Sequence, residues 1–267
     1  MDRLISILTT TTLFPNSVQR AHGVFVETRL RHLLASGEVR AHVLAPVPWL
    51  PPMVRYSSYG PLQSVPQRVE RGGLTVEHPR YLVVPKFGMT ITPHTLYHAM
   101  RKRFIALRKA GHQFDLIDAH YFYPDGVAAV RLAREFNIPV TVTARGTDLN
   151  LIPEFPAPRK MILDAAAKAS GMITVCQALK DTLVEMGVAP ERVTVLRNGV
   201  DLELFRPMDR AAARAKLGLT RRTLVSVGLL IDRKGHHHII RALKALPDTD
   251  LLIAGSGPDE VALKRLA

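Results

Sequence analysis

"FDLIDAHYFYPDGVAAVRLAREFNIPVTVTARG", Phe114 to Gly146, is the stretch that sets the fold class. FDLIDAH is a short, mostly apolar run, as expected of a strand. DGVAAVRLAREFN then repeats its apolar residues at helical spacing and ends at an asparagine. IPVTVTA returns to a β-branched run. Strand, helix and strand in so short a span form a βαβ unit, whose strands lie parallel with helices on the faces of the sheet.

The same rhythm extends in both directions. Upstream, LISILTT (Leu4 to Thr10) reads as a strand. VFVETRLRHLLASG (Val24 to Gly37) reads as a helix closed by a glycine, and RAHVLAPV as the next strand. Pro46 to Pro93 is rich in proline, glycine and tyrosine, and is read as an excursion with short strands such as LTVEHPRYLVV, before a helix over 94–110. Downstream come a helix near 158–169, the strand GMITVC, the helix QALKDTLVEMG and the strand RVTVLRNG. NGVDLELFRPMD interrupts with turn residues and a proline. A new series follows: RAAARAKLG, RTLVSVG, HHHIIRALKAL, TDLLIAG and the opening of a helix in DEVALKRLA. The expected architecture is α/β. Residues 1–205 form a Rossmann-like domain with a doubly wound parallel sheet, and 206–267 the first part of a second. Only 60 residues follow Pro207, against roughly 100–200 for a domain, so the second domain is expected to be incomplete.

Composition narrows the partners. The 267 residues are 47% hydrophobic, enough for a large core, and carry a formal net charge of +13. Such a field attracts nucleic acid, an anionic membrane face or phosphorylated small molecules. No nucleic-acid-binding motif is recognised, so no nucleic-acid partner is expected. The densest basic cluster is MRKRFIALRK, Met100 to Lys109. As a helix it sets the apolar stripe Leu96, Met100, Phe104 and Leu107 beside five cations, which fits either an anionic membrane surface or a helix packed on its own core. A single cysteine, Cys176, excludes an internal disulfide framework and fits a reducing compartment. No apolar run approaches the ~20 residues of a membrane span, and the N-terminus lacks a charged leader with a long apolar core. The expected location is the cytoplasm, peripheral on the inner membrane face.

Ligands of doubly wound sheets bind at the carboxyl ends of the strands, and candidate residues are ranked by that rule. Gly23, after the first strand, fits a phosphate-approaching loop or an ordinary turn. His120 ends a strand, where it fits a contact to a substrate hydroxyl or a structural role. Arg145, Gly146 and Asp148 follow another strand: the arginine suits phosphate or carboxylate, and the aspartate suits a hydroxyl or a brace to the loop. Lys234 follows the strand ending at Gly228, but Arg-Lys-Gly is not the Gly-Lys-Ser/Thr order of a Walker loop. Gly255 and Gly257 fit a phosphate loop or a turn. His236, His237 and His238 are adjacent on a helix, about 100° apart, and so are not read as metal ligands. Asp248-Thr-Asp250 stands at the amino end of its strand and is read as a turn. No metal or cofactor is expected.

Together these segments resemble family 4 retaining glycosyltransferases of the GT-B fold. AHGVFVETRLRHL is similar to that family's first loop and helix. FDLIDAHYFYPDG is similar to its histidine-ended strand, and VTVTARGTDLN to its His-Gly-x-Asp segment. VCQALKDTLVEMGVAPERVTVLRNGVDLELFRP is the most specific match, and LVSVGLLIDRKGHHHIIRAL and LLIAGSGP resemble the opening of the second domain. The resemblance implies transfer of a sugar, with retention of configuration, from a nucleotide-sugar donor to a polysaccharide or lipid-linked acceptor, through a front-face displacement. It implies that His120 contacts the donor sugar and that Lys234 and the Gly23 loop stabilise the departing diphosphate, with Arg145, Asp148, Asn198, Gly228, Gly255 and Gly257 also on the donor. Three departures stand out. Leu229 occupies a position where the family often has arginine, Arg145 replaces the histidine of His-Gly-x-Asp, and no Glu-x7-Glu motif follows, Glu260 being the only glutamate after Glu203. The resemblance therefore implies a C-terminally truncated chain with impaired transfer, or alternatively a non-catalytic acceptor- or partner-binding fragment.

Overall fold

An eight-stranded sheet organises the first part of the chain. The structure is a computed structural model describing residues 3–51, 59–84 and 88–267. Two compact units result, Met1–Gly199 and Val200–Ala267. Residues 200–205, read with the first domain from the sequence, group with the second unit.

In the first unit, β1 (Ile5–Thr10), α1 (Val24–Ala35), β2 (Val39–Leu44) and β3 (Val47–Trp49) are followed by β4 (Arg68–Arg71), β5 (Leu74–Glu77) and β6 (Arg80–Leu82). Then α2 (Gly88–Lys109), β7 (Leu116–His120), α3 (Val127–Glu135), β8 (Val140–Ala144), α4 (Thr147–Asn150), α5 (Pro156–Lys168), β9 (Gly171–Thr174), α6 (Gln177–Glu185) and β10 (Val193–Val195) repeat the βαβ unit. The strand order is β10-β9-β8-β7-β1-β2-β5-β4, and β3 pairs with β6 apart from it. All neighbours in the large sheet are parallel except β4 with β5. Strand order reverses between β1 and β7, which makes their carboxyl ends a topological switch point, where an open α/β sheet leaves a crevice.

Strand alternation supplies both faces with apolar side chains. Leu8, Ile117, Val142 and Met172 pack with Leu96, Phe104, Leu132, Ile162 and Leu183 of α2, α3, α5 and α6. On the other face Val26 and Leu30 of α1 pack against Val43 and Val76. Each fully buried large side chain contributes about 1.5–3 kcal/mol. A buried carboxylate fixes the roll of α1: Glu27 accepts from Arg31 one turn on at 2.6 Å and from Arg71 of β4 at 2.7 and 3.0 Å.

The apolar stripe of α2 faces this core. Leu96, Met100, Phe104 and Leu107 are at most 3% exposed, so the stripe is not available to a membrane. Two of its cations are also paired: Arg101 with Glu135 at 2.6 Å and Arg103 with Glu77. Lys102, Arg108 and Lys109 remain exposed. No described helix is long and apolar enough to cross a membrane.

In the second unit, α7 (Arg210–Lys216), β11 (Arg222–Val227), α8 (His236–Ala242), β12 (Thr249–Ala254) and α9 (Glu260–Leu266) follow in order. β11 and β12 are parallel, with Val225 opposite Leu252 and Val227 opposite Ala254. α8 lies on the face of Ser226, whose hydroxyl is 3.0 Å from His236 Nδ1. On the opposite face Val225 is 60% exposed and Val227 77%. Helices on both faces, expected from the apolar strands, are present on the large sheet; among the described residues the outer face of this pair carries none.

Candidate functional site

Hydrogen-bonded polar side chains gather at the end of β7 and in the loops that follow β1, β7, β8 and β10. Thr12, after β1, donates its backbone N–H and its hydroxyl to Asp125, after β7, the hydroxyl at 3.0 Å. Asp125 is 1% exposed. Burial pushes its carboxyl up to about 7, and the Thr12 hydrogen bonds oppose the shift. This pair ties together the two sides of the switch point.

β7 ends at His120, and the chain turns sharply there. Tyr121 takes a left-handed φ of 79° and its N–H donates to the Thr143 carbonyl at 2.9 Å. His120 is 1% exposed. Both ring nitrogens meet protein groups: Nε2 lies 3.0 Å from Asp118 Oδ2, and Nδ1 lies 2.8 Å from Arg145 Nη2. Burial holds the His120 pKa below its ordinary value, against the pull of Asp118. Asp118 stays below the usual carboxylate range: burial raises it, and His120, Arg29 and Thr141 outweigh that.

Arg145 gathers the remaining groups. Its Nη1 donates to Asn198 Oδ1 at 2.9 Å, and its guanidinium carbon lies 5.1 Å from the centre of the Phe25 ring in the first turn of α1. Burial and the neighbouring charge of Arg29 lower its pKa to about 10. Asp148 does not reach the guanidinium. Its two oxygens accept backbone N–H groups of Phe122 at 2.6 Å, Arg145 at 3.0 and 3.1 Å and Gly146 at 2.7 Å. It therefore acts as a brace joining the loops after β7 and β8. Burial raises its pKa in spite of those donors.

Gly23 sits at the N-cap of α1 with φ 67°. A Cβ there would collide with the Leu13 carbonyl. Close packing of the chain on itself thus already requires the glycine, with or without a ligand.

The second unit brings Gly228, Lys234, Gly255 and Gly257 together. The loop after β11 runs beside the loop after β12: Gly228 N–H donates to the Ala254 carbonyl at 3.0 Å and Leu230 N–H to the Ser256 carbonyl at 2.9 Å. A Cβ at Gly255 would strike the Gly228 carbonyl, and one at Gly257 the backbone of Leu230. Lys234 is exposed, and its side-chain stem passes Gly228. The corner is held by His236, 2% exposed, which bridges Ser226 and the Leu229 carbonyl, the latter at 3.1 Å. His237 and His238, read as diverging, instead lie with ring centres 3.9 Å apart. Asp250 accepts from Arg221 at 2.8 Å at the amino end of β12. Leu229 is 58% exposed.

Sequence reasoning missed Asp118, Arg29, Phe25 and the Thr12–Asp125 pair. Asp118 was legible in principle, since it stands two residues before His120 and so on the same strand face. Arg29 donates to Thr143 at 3.2 Å, and nothing local in the sequence marks it.

A doubly wound unit followed by a second β–α–β unit, each with polar or glycine-rich loops at the carboxyl ends of parallel strands, defines a GT-B-like fold. The profile for Glycosyltransferase Family 4 matches residues 23–204, and the chain belongs to that family. It is 28% identical over 268 residues to a Bacillus subtilis (strain 168) protein named teichuronic acid biosynthesis glycosyltransferase TuaC, covering 97% of this chain and 67% of that one. It is 31% identical over 248 residues to D-inositol 3-phosphate glycosyltransferase 1 of Catenulispora acidiphila, covering 86% of this chain and 53% of the relative. The crystal structure of Anabaena Alr3699/HepE in complex with UDP-glucose superposes with a TM-score of 0.62 at 19% identity, over 98% of this chain and 64% of that one. This chain thus spans between about half and two thirds of the length of these relatives.

Proposed function

We propose that the chain belongs to an enzyme that transfers a sugar from a nucleotide-sugar donor to a saccharide or lipid-linked acceptor, with retention of configuration. The observation that carries this reading is the polar array at the β1/β7 switch point of a Glycosyltransferase Family 4 chain. The teichuronic acid biosynthesis in the name of TuaC supports a saccharide acceptor, and the UDP-glucose in the HepE complex supports a nucleotide-sugar donor.

A front-face displacement needs no protein nucleophile. Its main demand is stabilisation of the charge that develops on the departing diphosphate. In this reading the second unit answers it with the Lys234 ammonium and the backbone around Gly228, Gly255 and Gly257, without a metal ion. The first unit is the acceptor side. Its contact with an anionic, cytoplasmic membrane face would run through Lys102, Arg108 and Lys109.

Calorimetry with UDP-glucose, UDP-galactose and GDP-mannose, followed by nucleotide release in the presence of acceptor, tests the reading. One donor is expected to bind, and Lys234→Ala to weaken it roughly tenfold or more, as expected for loss of a charged hydrogen bond. Acceptor binding with no nucleotide binding would replace the enzyme reading with a non-catalytic acceptor-binding module.

A further inference from the structure

His120 and Arg145 are coupled in a way that fixes what each can do. A guanidinium only donates hydrogen bonds and a carboxylate only accepts them. His120 Nδ1, 2.8 Å from Arg145 Nη2, is therefore the unprotonated acceptor, and Nε2, 3.0 Å from Asp118 Oδ2, carries the proton. The ring is neutral, held in one tautomer and buried at 1% exposure. Neither nitrogen is free to meet a substrate.

Arg145 is the opposite case. Two of its five N–H groups are pinned, one by His120 and one by Asn198, and the plane lies over Phe25. Nε is buried without a protein hydrogen-bond partner among the described residues. Among those residues no carboxylate lies within 4 Å of this guanidinium: Asp118 meets His120, and Asp148 takes backbone N–H groups. A partly buried cation, oriented on two sides, with no carboxylate in direct contact and with Asp118 and Asp148 acting on it only at longer range, is a preorganised donor for an oxygen of a phosphate or carboxylate.

We propose that His120 is a positioning residue that holds the Arg145 guanidinium, and that Arg145 is the group of the first unit that meets an anionic part of the ligand. The proposal rests on the transferase reading only for the identity of that ligand.

Two measurements test it. In protein labelled with nitrogen-15 at histidine, long-range NMR correlations should show His120 as the Nε2–H tautomer. The Nδ1–H tautomer would overturn the relay whatever the chain binds. Calorimetry of the whole chain with UDP, inorganic phosphate and a hexuronic acid then identifies the anion, diphosphate or sugar carboxylate. Arg145→Ala should weaken the anion that binds by roughly tenfold or more, and His120→Ala by a similar factor. His120→Asn, whose amide oxygen can replace the Nδ1 acceptor, should recover most of the loss. The double variant should be no weaker than Arg145→Ala, because one unit has been broken twice. Equal damage from His120→Asn and His120→Ala, or additive losses, would overturn the positioning role. UDP binding unchanged by Arg145→Ala, with no other anion bound, would overturn the ligand assignment and leave the transferase reading intact. Anion binding through Arg145 without any nucleotide would do the reverse.

Discussion

In the first unit the polar groups at the strand ends are bound to one another. Thr12 holds Asp125, Asp118 holds His120, His120 and Asn198 hold Arg145, and Asp148 gathers three backbone N–H groups. In the second unit the corresponding ends carry glycines packed on backbone and a lysine whose head is in water. The sheets differ in the same sense: helices cover both faces of the large one, while Val225 and Val227 stand exposed on the small one. A site made of side chains needs a rigid frame to aim them. Two loops held side by side by backbone hydrogen bonds need only one pair of strands and glycines small enough to let them touch.

The comparison can be tested from its strongest consequence downward. Phe104→Ala removes a fully buried ring of the first unit and should cost about 3–5 kcal/mol in denaturant unfolding. A much smaller loss would mean that the core is looser than its burial indicates. Gly255→Ala forces a Cβ against the Gly228 carbonyl and should cost roughly 1–3 kcal/mol. It should also weaken nucleotide binding by moving the two loops apart. If Gly255→Ala is silent in both assays, the loops are not held by that contact.

A third expectation concerns acid. Burial and the charges of His112, Arg68 and Arg103 lower the His42 pKa from 6.5 to about 4. The unfolded chain takes up this proton first, so the stabilisation is present above pH 6.5 and is lost as pH falls toward 4. Thermal melts of the first unit should fall across that window, and His42→Leu should flatten the slope. Asp125 acts in the other sense: its raised pKa erodes stability as pH rises from 3.8 toward 7, so the difference between wild type and variant is the quantity to read. The smallest effect is expected for Val227→Ala, 77% exposed, within about 0.5 kcal/mol. A core-sized loss there would show that the outer face of β11 is covered in solution.

Much of the frame was legible because period alone separates strand from helix, and FDLIDAH and IPVTVTA stand as parallel neighbours in the order their spacing implies. His120 and Arg145 drew notice as candidates because one ends a strand of a doubly wound sheet and the other follows one. Their bond was not legible: they stand 25 positions apart, and only the register of β7 against β8, which sets His120 opposite Thr143, brings Arg145 two residues further on within reach. Asp148 shows the converse. Its position left a ligand hydroxyl and a brace to the loop both open, and its partners are the backbone N–H groups of two turning loops, not the guanidinium. The stripe of α2 was ambiguous for a related reason, since periodicity reveals that a helix has an apolar side and not what lies against it. The diverging histidines failed because side chains of adjacent helical residues can still lean together outside the helix.

The exposed strand pair has a further consequence for anyone handling the protein. Thr223 to Ile231 contains no charged residue and is rich in β-formers. A two-stranded sheet offers open edges of N–H and C=O groups to any extended chain. A polypeptide of residues 1–267 should therefore form, in concentrated solution, intermolecular β-structure that binds amyloid dyes, seeded from this run and suppressed by a lysine placed at Val225. Storage conditions, rather than loss of the large core, would then limit the working life of the preparation.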